Sequence, residues 1–427
     1  MSNFLYHIFL VGYALGIRIA ALWNPKARLW LAGRKNLFST INLPTGQAGC
    51  QLPTTSSQVI WMHCASLGEF EQGRPLLEDI KLQYPGYRIV LSFFSPSGYE
   101  VMKDYPGADH VFYLPMDSPS NAKKFIDAVK PSLVLWVKYE YWFYYLDELK
   151  RRNIPVILVS GIFRAGQPFF RWYGGIWRAM LGCFTHFFVQ NEASEKLLQT
   201  IGIKENITLN GDTRFDRVIA IAKNFEPVPH IENFCGNNRV IVAGSTWEED
   251  EIELLHYVKV HPEIKFIIAP HEVGEKKLNE VKKEFPNSVF YSSLTANPAV
   301  VDISKNVLII DNIGMLSRLY KYATITYVGG GFGSDGVHNV LEAAVFGKPV
   351  VFGPEYEKFA EATGLVEAGG GLSFSLPLGL EKIFTELLSD ESSLKKTGDA
   401  AKEFVFAQQG ATAKIISYIQ EKRLLTN

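Results

Sequence analysis

The chain has 427 residues, of which 47% are hydrophobic and 20% are charged, and its formal net charge is -1. This length exceeds what one hydrophobic core usually serves, so two domains are expected, and the composition excludes a disordered chain. The near-neutral charge gives no general sign of a nucleic-acid partner. The widely separated cysteines favour buried small side chains in a reducing compartment over a disulfide framework or a zinc site.

The N-terminal segment is apolar. Residues 4–23 carry a single charge, Arg18, and a stretch of this length can span a bilayer. No small-residue cleavage site follows it, which argues against a removed signal peptide. Basic residues lie at or after its end, which would keep the rest of the chain in the cytoplasm. Residues 1–25 are therefore predicted to be a membrane anchor, spanning or interfacial, with a buried core helix as the alternative.

A first series of strands and helices follows an aperiodic segment, residues 33–57, that is predicted to be a loop. Short apolar runs predict strands at 59–63, 88–94, 111–114, 133–137, 156–160, 186–189 and 207–210. Helical patterns lie between them, at 69–83, 122–129, 141–152 and 192–201. Strands that alternate with helices indicate a parallel sheet covered on both faces. Residues 33–223 are thus predicted to form one Rossmann-like domain.

A second series begins after the polar, proline-bearing residues 224–238, which are predicted to be a linker. Its strands are expected at 239–243, 265–269, 307–310, 323–328 and 349–352. The amphipathic residues 411–427 are expected to cross back to the first domain. The prediction is an α/β protein with two Rossmann-like domains, 33–223 and 239–410, that face each other across a cleft. In such sheets, ligands bind outside the carboxyl ends of the strands.

Two acids follow predicted strands of the first domain. Glu69 opens a helix after small residues, and Ser66 and Gly68 leave room there for a substrate. A carboxylate at this place could serve as a general base, or could simply complement the helix dipole. Glu140 follows another strand among aromatic residues, which suits sugar binding, although it could instead pair with Lys138.

Basic residues follow in the same domain. Arg164 and Arg171 lie in a run rich in Trp, Tyr and Phe, which favours a membrane headgroup zone or a phosphorylated lipid over an aromatic core helix. Arg214, near the end of the domain, could reach an anion in the cleft or could pair with Asp212 or Asp216.

The second domain carries the predicted phosphate contacts. Ser245 and Thr246 follow a strand and offer N–H and hydroxyl donors, although Ser245 and Glu248 also have capping-box spacing. His271 closes the next strand, where it is either a ligand contact or structural. The sequence offers no DxD, HxxxH or CxxC spacing, so a metal-independent reaction without a cofactor is the simpler interpretation.

A glycine-rich stretch, residues 328–343, is the strongest motif. Glycines such as Gly330 and Gly331 let backbone N–H groups approach a ligand, and a helix expected to begin near His338 would add its positive end. Glu342 on that helix could accept hydrogen bonds from a ribose. A flexible surface turn would explain the glycines but not the carboxylate behind them.

Together these residues resemble the Kdo (3-deoxy-D-manno-octulosonic acid) transferases, which have a glycosyltransferase type B architecture. The resemblance covers nearly the whole chain and rests on the order of several elements. They are the N-terminal segment, residues 63–73, Glu140 with Trp142, residues 211–216, Gly244-Ser245-Thr246, His338-Asn339 with Glu342, Gly347-Lys348-Pro349 and Phe352-Gly353-Pro354.

The resemblance implies inverting, metal-independent transfer of Kdo from CMP-Kdo to a lipid A precursor. It places the enzyme at the cytoplasmic face of the inner membrane of a Gram-negative bacterium. Glu69 matches the general base of the family and Glu140 its second acid. The positions around CMP are matched by Ser245, Thr246, His271, Asn339 and Glu342.

The chain departs from the family pattern at three places. Lys138-Tyr139 stands where an acid and a Thr are usual, the arginines around His271 are absent, and Ala343 replaces a Pro. The departure at His271 puts its phosphate contact in doubt, which Arg214 could compensate. The competing hypotheses are a type B glycosyltransferase that uses a UDP-sugar, a nucleotide-sugar epimerase, and a membrane-tethered nucleotide-binding regulator.

Overall fold

The computed structural model describes residues 2–41, 58–296 and 304–426. Up to residue 223 its strands are β1 (Val59–Cys64), β2 (Arg88–Phe93), β3 (His110–Tyr113), β4 (Pro131–Val137), β5 (Val156–Gly161), β6 (His186–Val189) and β7 (Ile207–Leu209). The helices are α1 (Ser2–Ala20), α2 (Pro25–Ala32), α3 (Leu37–Ile41), α4 (Leu67–Gln83), α5 (Pro96–Met102), α6 (Pro119–Val129), α7 (Phe143–Arg151), α8 (Gly175–Leu181), α9 (Glu192–Thr200) and α10 (Thr213–Lys223). A 3₁₀ turn covers Pro168–Phe170.

The second half of the chain repeats this alternation. Its strands are β8 (Val240–Thr246), β9 (Lys265–Pro270), β10 (Ser288–Phe290), β11 (Val307–Ile309), β12 (Ile325–Val328), β13 (Val350–Phe352) and β14 (Gly371–Ser373). The helices are α11 (Ile231–Cys235), α12 (Glu248–Val260), α13 (Glu275–Glu284), α14 (Tyr291–Ala296), α15 (Leu316–Leu319), α16 (Leu341–Ala344), α17 (Ala360–Glu367), α18 (Pro377–Ser389), α19 (Glu391–Ala407) and α20 (Ala411–Glu421). Another 3₁₀ turn covers Tyr320–Tyr322.

The strands form two parallel sheets. Their orders are β3-β2-β1-β4-β5-β6-β7 and β10-β11-β9-β8-β12-β13-β14. Side chains alternate across the first sheet, so that Trp61 of β1 faces one apolar cluster while Ile60 and Met62 face the other. A sheet that is buried on both faces needs helices on both sides, which explains the alternating strand and helix pattern.

The chain divides into two compact units. One comprises Met1–Asp216 together with Gly410–Asn427, and the other comprises Arg217–Gln409. The boundary therefore lies inside α10, earlier than the predicted linker at 224–238. At the other boundary, the Asp216 carboxylate accepts the N–H groups of Gly410 and Thr412, both at 2.6 Å, and so holds the start of α20 in the first unit.

The N-terminal helices differ from their prediction. Among residues 2–41, 58–296 and 304–426, none of the helices is long and apolar enough to cross a membrane, so the spanning form of the predicted anchor is not found there. Helix α1 instead packs on the first unit through Tyr6 and Leu10, one turn apart. The predicted loop at 33–57 contains α3, and residues 42–57, with Cys50, lie outside the described residues.

Candidate active site

Glu69 and Glu140 lie at the same edge of the first sheet. Strands β1 and β4 are neighbours, with His63 opposite Trp136 in their register, whereas β2 flanks β1 on its other side. The chain order reverses between β1 and β4, and such a switch point opens a crevice at the carboxyl ends of parallel strands. Glu69 lies in the first turn of α4, directly after β1, and Glu140 lies three residues beyond the end of β4.

Glu69 is buried and is held by the backbone. Its side chain accepts hydrogen bonds from the N–H groups of Ala65 and Ser66, the latter at 3.0 Å, and the residue is 7% exposed. Burial, together with the negative charge of Glu140, raises the pKa of Glu69 to about 7, although these N–H groups oppose the rise. A carboxyl group that exchanges its proton near neutral pH suits general base catalysis. Glu69 therefore bonds the helix start, as one of its two interpretations has it, and its raised pKa is compatible with the other, the general base, which stays a prediction.

Glu140 is positioned by aromatic side chains. Trp142 Nε1 donates to Glu140 Oε2 at 3.1 Å, and Trp136 Nε1 donates to the Glu140 carbonyl at 2.5 Å. His63 Nε2 lies 3.7 Å from the same Oε2, which is slightly too long for a hydrogen bond. The indole groups thus fix the carboxylate at the end of β4.

His63 belongs to a buried hydrogen-bonded group with Trp61 and Ser92. Ser92 Oγ lies 2.8 Å from Trp61 Nε1 and 2.9 Å from His63 Nδ1, and His63 is fully buried. An indole can only donate, so Ser92 accepts from Trp61 and its hydroxyl hydrogen is available for Nδ1 of His63. These contacts hold the imidazole ring so that Nε2 faces Glu140.

Cationic side chains surround Tyr139, which directly precedes Glu140 and whose backbone bonds Glu69. Lys138 Nζ lies 5.1 Å and Arg164 Cζ lies 5.8 Å from the centre of the Tyr139 ring. Arg214 donates to Asp212 Oδ2 through Nε at 2.9 Å and through Nη2 at 2.7 Å. Burial opposes ionisation of Asp212, but the Arg214 guanidinium outweighs it and holds the pKa of Asp212 below its usual range. Arg214 therefore makes the predicted pair with Asp212.

The predicted acceptor residues do not all meet at the acids. Gly68 is exposed, and a Cβ added there would meet open space, so the start of α4 is accessible beside Ser66. Arg164 is exposed next to Tyr139. Arg171 is also exposed, but no contact among the described residues joins its side chain to Glu69 or Glu140.

The glycine-rich stretch of the second unit lies at the corresponding switch point, where β8 and β12 are neighbours. Gly330 has a φ of +91°, and a Cβ on Gly331 would lie 2.7 Å from the backbone of Gly353. The buried Asp250 carboxylate holds this loop, since it accepts the Gly330 N–H at 2.9 Å and the Tyr327 hydroxyl at 2.6 Å. The glycines are therefore required by close backbone approach. Several loop amides, among them those of Gly330, Gly333 and Gly336, are already bonded within the protein.

Two predictions about this loop are wrong in detail. The helix begins at Leu341 rather than near His338, because the His338 N–H bonds the Gly329 carbonyl and Asn339 Oδ1 accepts the Leu341 N–H. The residue that precedes α12 is Trp247, whose N–H bonds Asp250, so Ser245 and Glu248 do not form the capping box. Ser245 instead adopts the left-handed backbone conformation, with a φ of +55°.

The hydroxyl of Thr246 is already engaged. Thr246 is fully buried, and its Oγ1 donates to Glu251 at 2.9 Å, which in turn pairs with Lys277 at 2.7 Å. This buried chain fixes the end of β8. The predicted hydroxyl contact of Thr246 with a ligand is therefore replaced by a structural bond.

Three aromatic rings form a stack beside this loop. The ring centres of Trp247 and His271 lie 4.5 Å apart, and those of His271 and His338 also lie 4.5 Å apart. Trp247 Nε1 donates to His338 Nε2 at 2.9 Å, and burial lowers the pKa of His338 to about 4. His338 is thus a neutral imidazole at physiological pH. Trp247 and His338 lie side by side, with ring centres 6.3 Å apart, and the exposed His271 ring lies against both of them.

Asn339 and Glu342 form a pair at the end of the loop. Asn339 Nδ2 donates to Glu342 Oε1 at 3.1 Å. Burial raises the pKa of Glu342, whereas the nearby charge of Arg217 lowers it. Both residues are only partly exposed.

Sequence reasoning missed several residues of these sites. They are His63, Asp250, Trp247, His338 and Arg217, of which His63 and His338 lay within quoted motifs. Their roles depend on contacts between strands or loops distant in the chain, and a residue pattern does not report such contacts. Among the described residues, no group of three His, Cys, Asp or Glu side chains is placed to hold a metal ion.

Comparison with known proteins supports the resemblance to the Kdo transferases. Residues 41–217, which include both acids, match the model of the 3-deoxy-D-manno-octulosonic-acid transferase family. The chain also resembles known Kdo transferases over most of its length. It is 27% identical to a 3-deoxy-D-manno-octulosonic acid transferase of Haemophilus influenzae, over 95% of this chain and 94% of that protein. The corresponding protein of Aquifex aeolicus is 27% identical over 79% of this chain and 88% of its own length.

Solved structures show a similar fold. A UDP-GlcNAc 2-epimerase from Neisseria meningitidis aligns with a TM-score of 0.55 at 17% identity, and the alignment covers 85% of this chain and 100% of the epimerase chain. This likeness concerns the fold alone. The family relationship indicates that the protein is a glycosyltransferase.

Proposed function

We propose that this protein transfers Kdo from CMP-Kdo to a hydroxyl group of a lipid A precursor, with inversion at the anomeric carbon and without a metal or other cofactor. The observation that carries the proposal is the pair of acids Glu69 and Glu140 at the switch point of β1 and β4. Both lie in the part of the chain that matches the Kdo transferase family.

In this mechanism Glu69 accepts the proton of the acceptor hydroxyl as its oxygen attacks the anomeric carbon of Kdo. The C–O bond to the phosphate of CMP breaks at the same carbon, and CMP leaves with the bonding electrons. Glu69 can take the proton because its pKa is about 7, so the ionised form is available at neutral pH. Glu140, held by Trp142, keeps that pKa raised and orients the acceptor sugar.

The second unit would hold the donor. The Trp247–His271–His338 stack and the Asn339–Glu342 pair flank the glycine-rich loop, and they supply flat rings and hydrogen-bonding groups that suit a nucleotide. Ser245, in its left-handed conformation, and the loop around Gly331 supply the remaining backbone contacts. The exposed cation Arg164 in the first unit would contact a phosphate of the acceptor.

The proposal places the protein on the cytoplasmic face of the inner membrane of a Gram-negative bacterium, bound at the surface through α1. This helix exposes large apolar side chains, among them Leu15 at 54%, and Leu22, in the turn that follows it, is 74% exposed. The basic residues Arg18 and Lys26 are exposed in the same part of the chain. Trp172 is 92% exposed in the other aromatic segment. Apolar and aromatic side chains next to basic ones favour an anionic lipid surface.

The reaction is tested by incubating the protein with CMP-Kdo and a tetraacylated lipid A precursor and weighing the product by mass spectrometry. We expect a mass increase of one or more Kdo residues. The rate should fall by roughly 10²–10⁴-fold in Glu69→Gln, whereas Glu205→Gln, at an exposed acid of the same unit, should keep normal turnover. Absence of product, or tighter binding of UDP than of CMP, would contradict the proposal.

Membrane binding is tested separately by flotation with vesicles that contain an anionic phospholipid. The wild-type protein should float with the vesicles, and the double variant Leu15→Ser, Leu22→Ser should stay in solution. Equal flotation of both proteins would exclude α1 as the contact.

A further inference from the structure

The first unit contains a cavity of about 660 Å³ between α1, the segment after β4 and α8. Its walls are aromatic and aliphatic and include Tyr6, Phe9, Tyr13, Phe169, Ile176 and Met180. The volume lies within the roughly 300–1,000 Å³ range of small-molecule binding sites. Buried residues of the unit's core form its floor, since Phe169, Ile176 and Met180 are almost fully buried.

The cavity is open on one side. Phe9, Tyr13 and Tyr173 line it but are 55%, 37% and 52% exposed, so they form its rim. Phe9 and Tyr13 belong to α1, the helix whose outer side chains face the proposed membrane surface. The opening is therefore continuous with that surface.

Glu140 is the one charged side chain among the described residues that line the cavity. Its carboxylate belongs also to the pair of acids, because its charge contributes to the raised pKa of Glu69. A carboxylate next to an apolar wall disfavours an anionic end group but tolerates an uncharged chain with a sugar attached to it. The two ends of the cavity thus suit the two halves of a glycolipid.

We propose that this cavity binds one acyl chain of the glycolipid acceptor and thereby sets the chain length that the enzyme prefers. The inference rests on the proposed function, since it assigns a site to part of that acceptor. The chain enters between Phe9, Tyr13 and Tyr173, and its terminal methyl group reaches Ile176 and Met180. The sugar remains beside Glu140, within reach of Glu69.

The test uses hexyl, octyl and decyl β-glucosides, all below their micelle-forming concentrations, with binding measured by calorimetry. Each added methylene should tighten binding about four-fold until the chain fills the cavity, after which the affinity should level off. Ile176→Trp fills the floor and should make the affinity level off at a shorter chain. Met180→Ala enlarges the floor and should move that point to a longer chain.

Trp172→Ala serves as the matched control, because Trp172 is exposed on the neighbouring segment and does not line the cavity. It should leave the dependence on chain length unchanged. Affinity that is independent of chain length overturns the inference, and so does identical behaviour of wild type, Ile176→Trp and Met180→Ala. Loss of the dependence in Trp172→Ala would also overturn it, since binding would then occur on the outer surface.

These measurements need neither CMP-Kdo nor turnover. A dependence on chain length without Kdo transfer would contradict the proposed function but not the cavity. Kdo transfer with no dependence on chain length would overturn only the cavity assignment.

Discussion

Replacing Glu69 by glutamine tests whether a buried acid holds its proton up to neutral pH. The carboxyl group is 7% exposed, and its pKa is raised from an ordinary 4.5 to about 7 by burial and by Glu140. The folded protein therefore binds this proton more tightly than the unfolded chain does. Glutamine keeps the shape of the protonated acid but cannot ionise.

The pKa values determine the size and sign of the effect. Because the folded pKa is raised, the stabilising contribution of Glu69 is fully present below pH 4.5 and is lost as the pH rises through 7. Each pH unit between these values removes about 1.4 kcal/mol, so the total is about 3 kcal/mol. Relative to Glu69→Gln, the wild-type protein should lose this amount between pH 4.5 and pH 8.

The assay is urea unfolding of both proteins across this pH range, monitored through the tryptophan signal, with Glu205→Gln as the control at an exposed acid. The difference in unfolding free energy between wild type and Glu69→Gln should change steadily up to pH 7 and then become constant. A shift in melting temperature of roughly 6–12 °C should accompany it. A difference that stays constant from pH 4.5 to pH 8 would refute the assignment of a raised pKa to Glu69.

The remaining predictions concern other contacts. His63→Gln keeps a polar group near the position of Nε2, which lies 3.7 Å from Glu140 Oε2, and should keep most of the turnover. His63→Asn keeps only the bond toward Ser92 and should lower kcat with little change in KM; equal losses in the two variants would show that the group facing Glu140 has no electrostatic effect on that carboxylate. Tyr6→Phe should destabilise the first unit by about 1–3 kcal/mol in urea unfolding. The reason is that the Tyr6 hydroxyl donates to Asp117 at 2.7 Å and accepts the N–H of Phe143, the first residue of α7. An unchanged unfolding midpoint would argue against this anchoring of α1. Gly331→Ala should weaken CMP binding in a titration, because the added Cβ would lie 2.7 Å from the backbone of Gly353. Gly333→Ala should bind CMP normally, because its Cβ would lie 3.7 Å from the nearest atom. Equal affinities of the two variants would mean that the loop accommodates the Cβ at residue 331 without losing affinity.

Most strands of both sheets could be predicted from short apolar runs between helical patterns. The missed strands, β10 and β14, are three residues long and lie at the edges of the second sheet. Their sequences, Ser-Val-Phe and Gly-Leu-Ser, are not apolar runs like those of the equally short β11 and β13, so only pairing with these two strands defines them. The start of α16 was misplaced for a related reason, because the N–H groups that precede it bond to distant carbonyl groups rather than to the helix.

The candidate site was predictable to the extent that its residues follow strands. Glu69 and Glu140 were found by that rule, but their common edge depends on the pairing of β1 with β4, which lie about seventy residues apart in the chain. For Thr246 the same rule was misleading. Its position at the end of β8 indicated a ligand contact, but its hydroxyl donates a hydrogen bond to the buried Glu251 instead. A residue's place after a strand indicates access to the site, and only its neighbours decide its role.

The sequence by itself determined the alternating α/β architecture, the positions of the motifs at strand ends and the resemblance to the Kdo transferases, since periodicity and motif order are local properties. The tertiary structure decided which acids share an edge, which hydroxyl and amide groups are already bonded, and that α1 and α8 enclose an apolar cavity beside Glu140. These features depend on burial and on distances between segments far apart in the chain. A side chain's pKa and its free hydrogen bonds exist only once those segments have packed together.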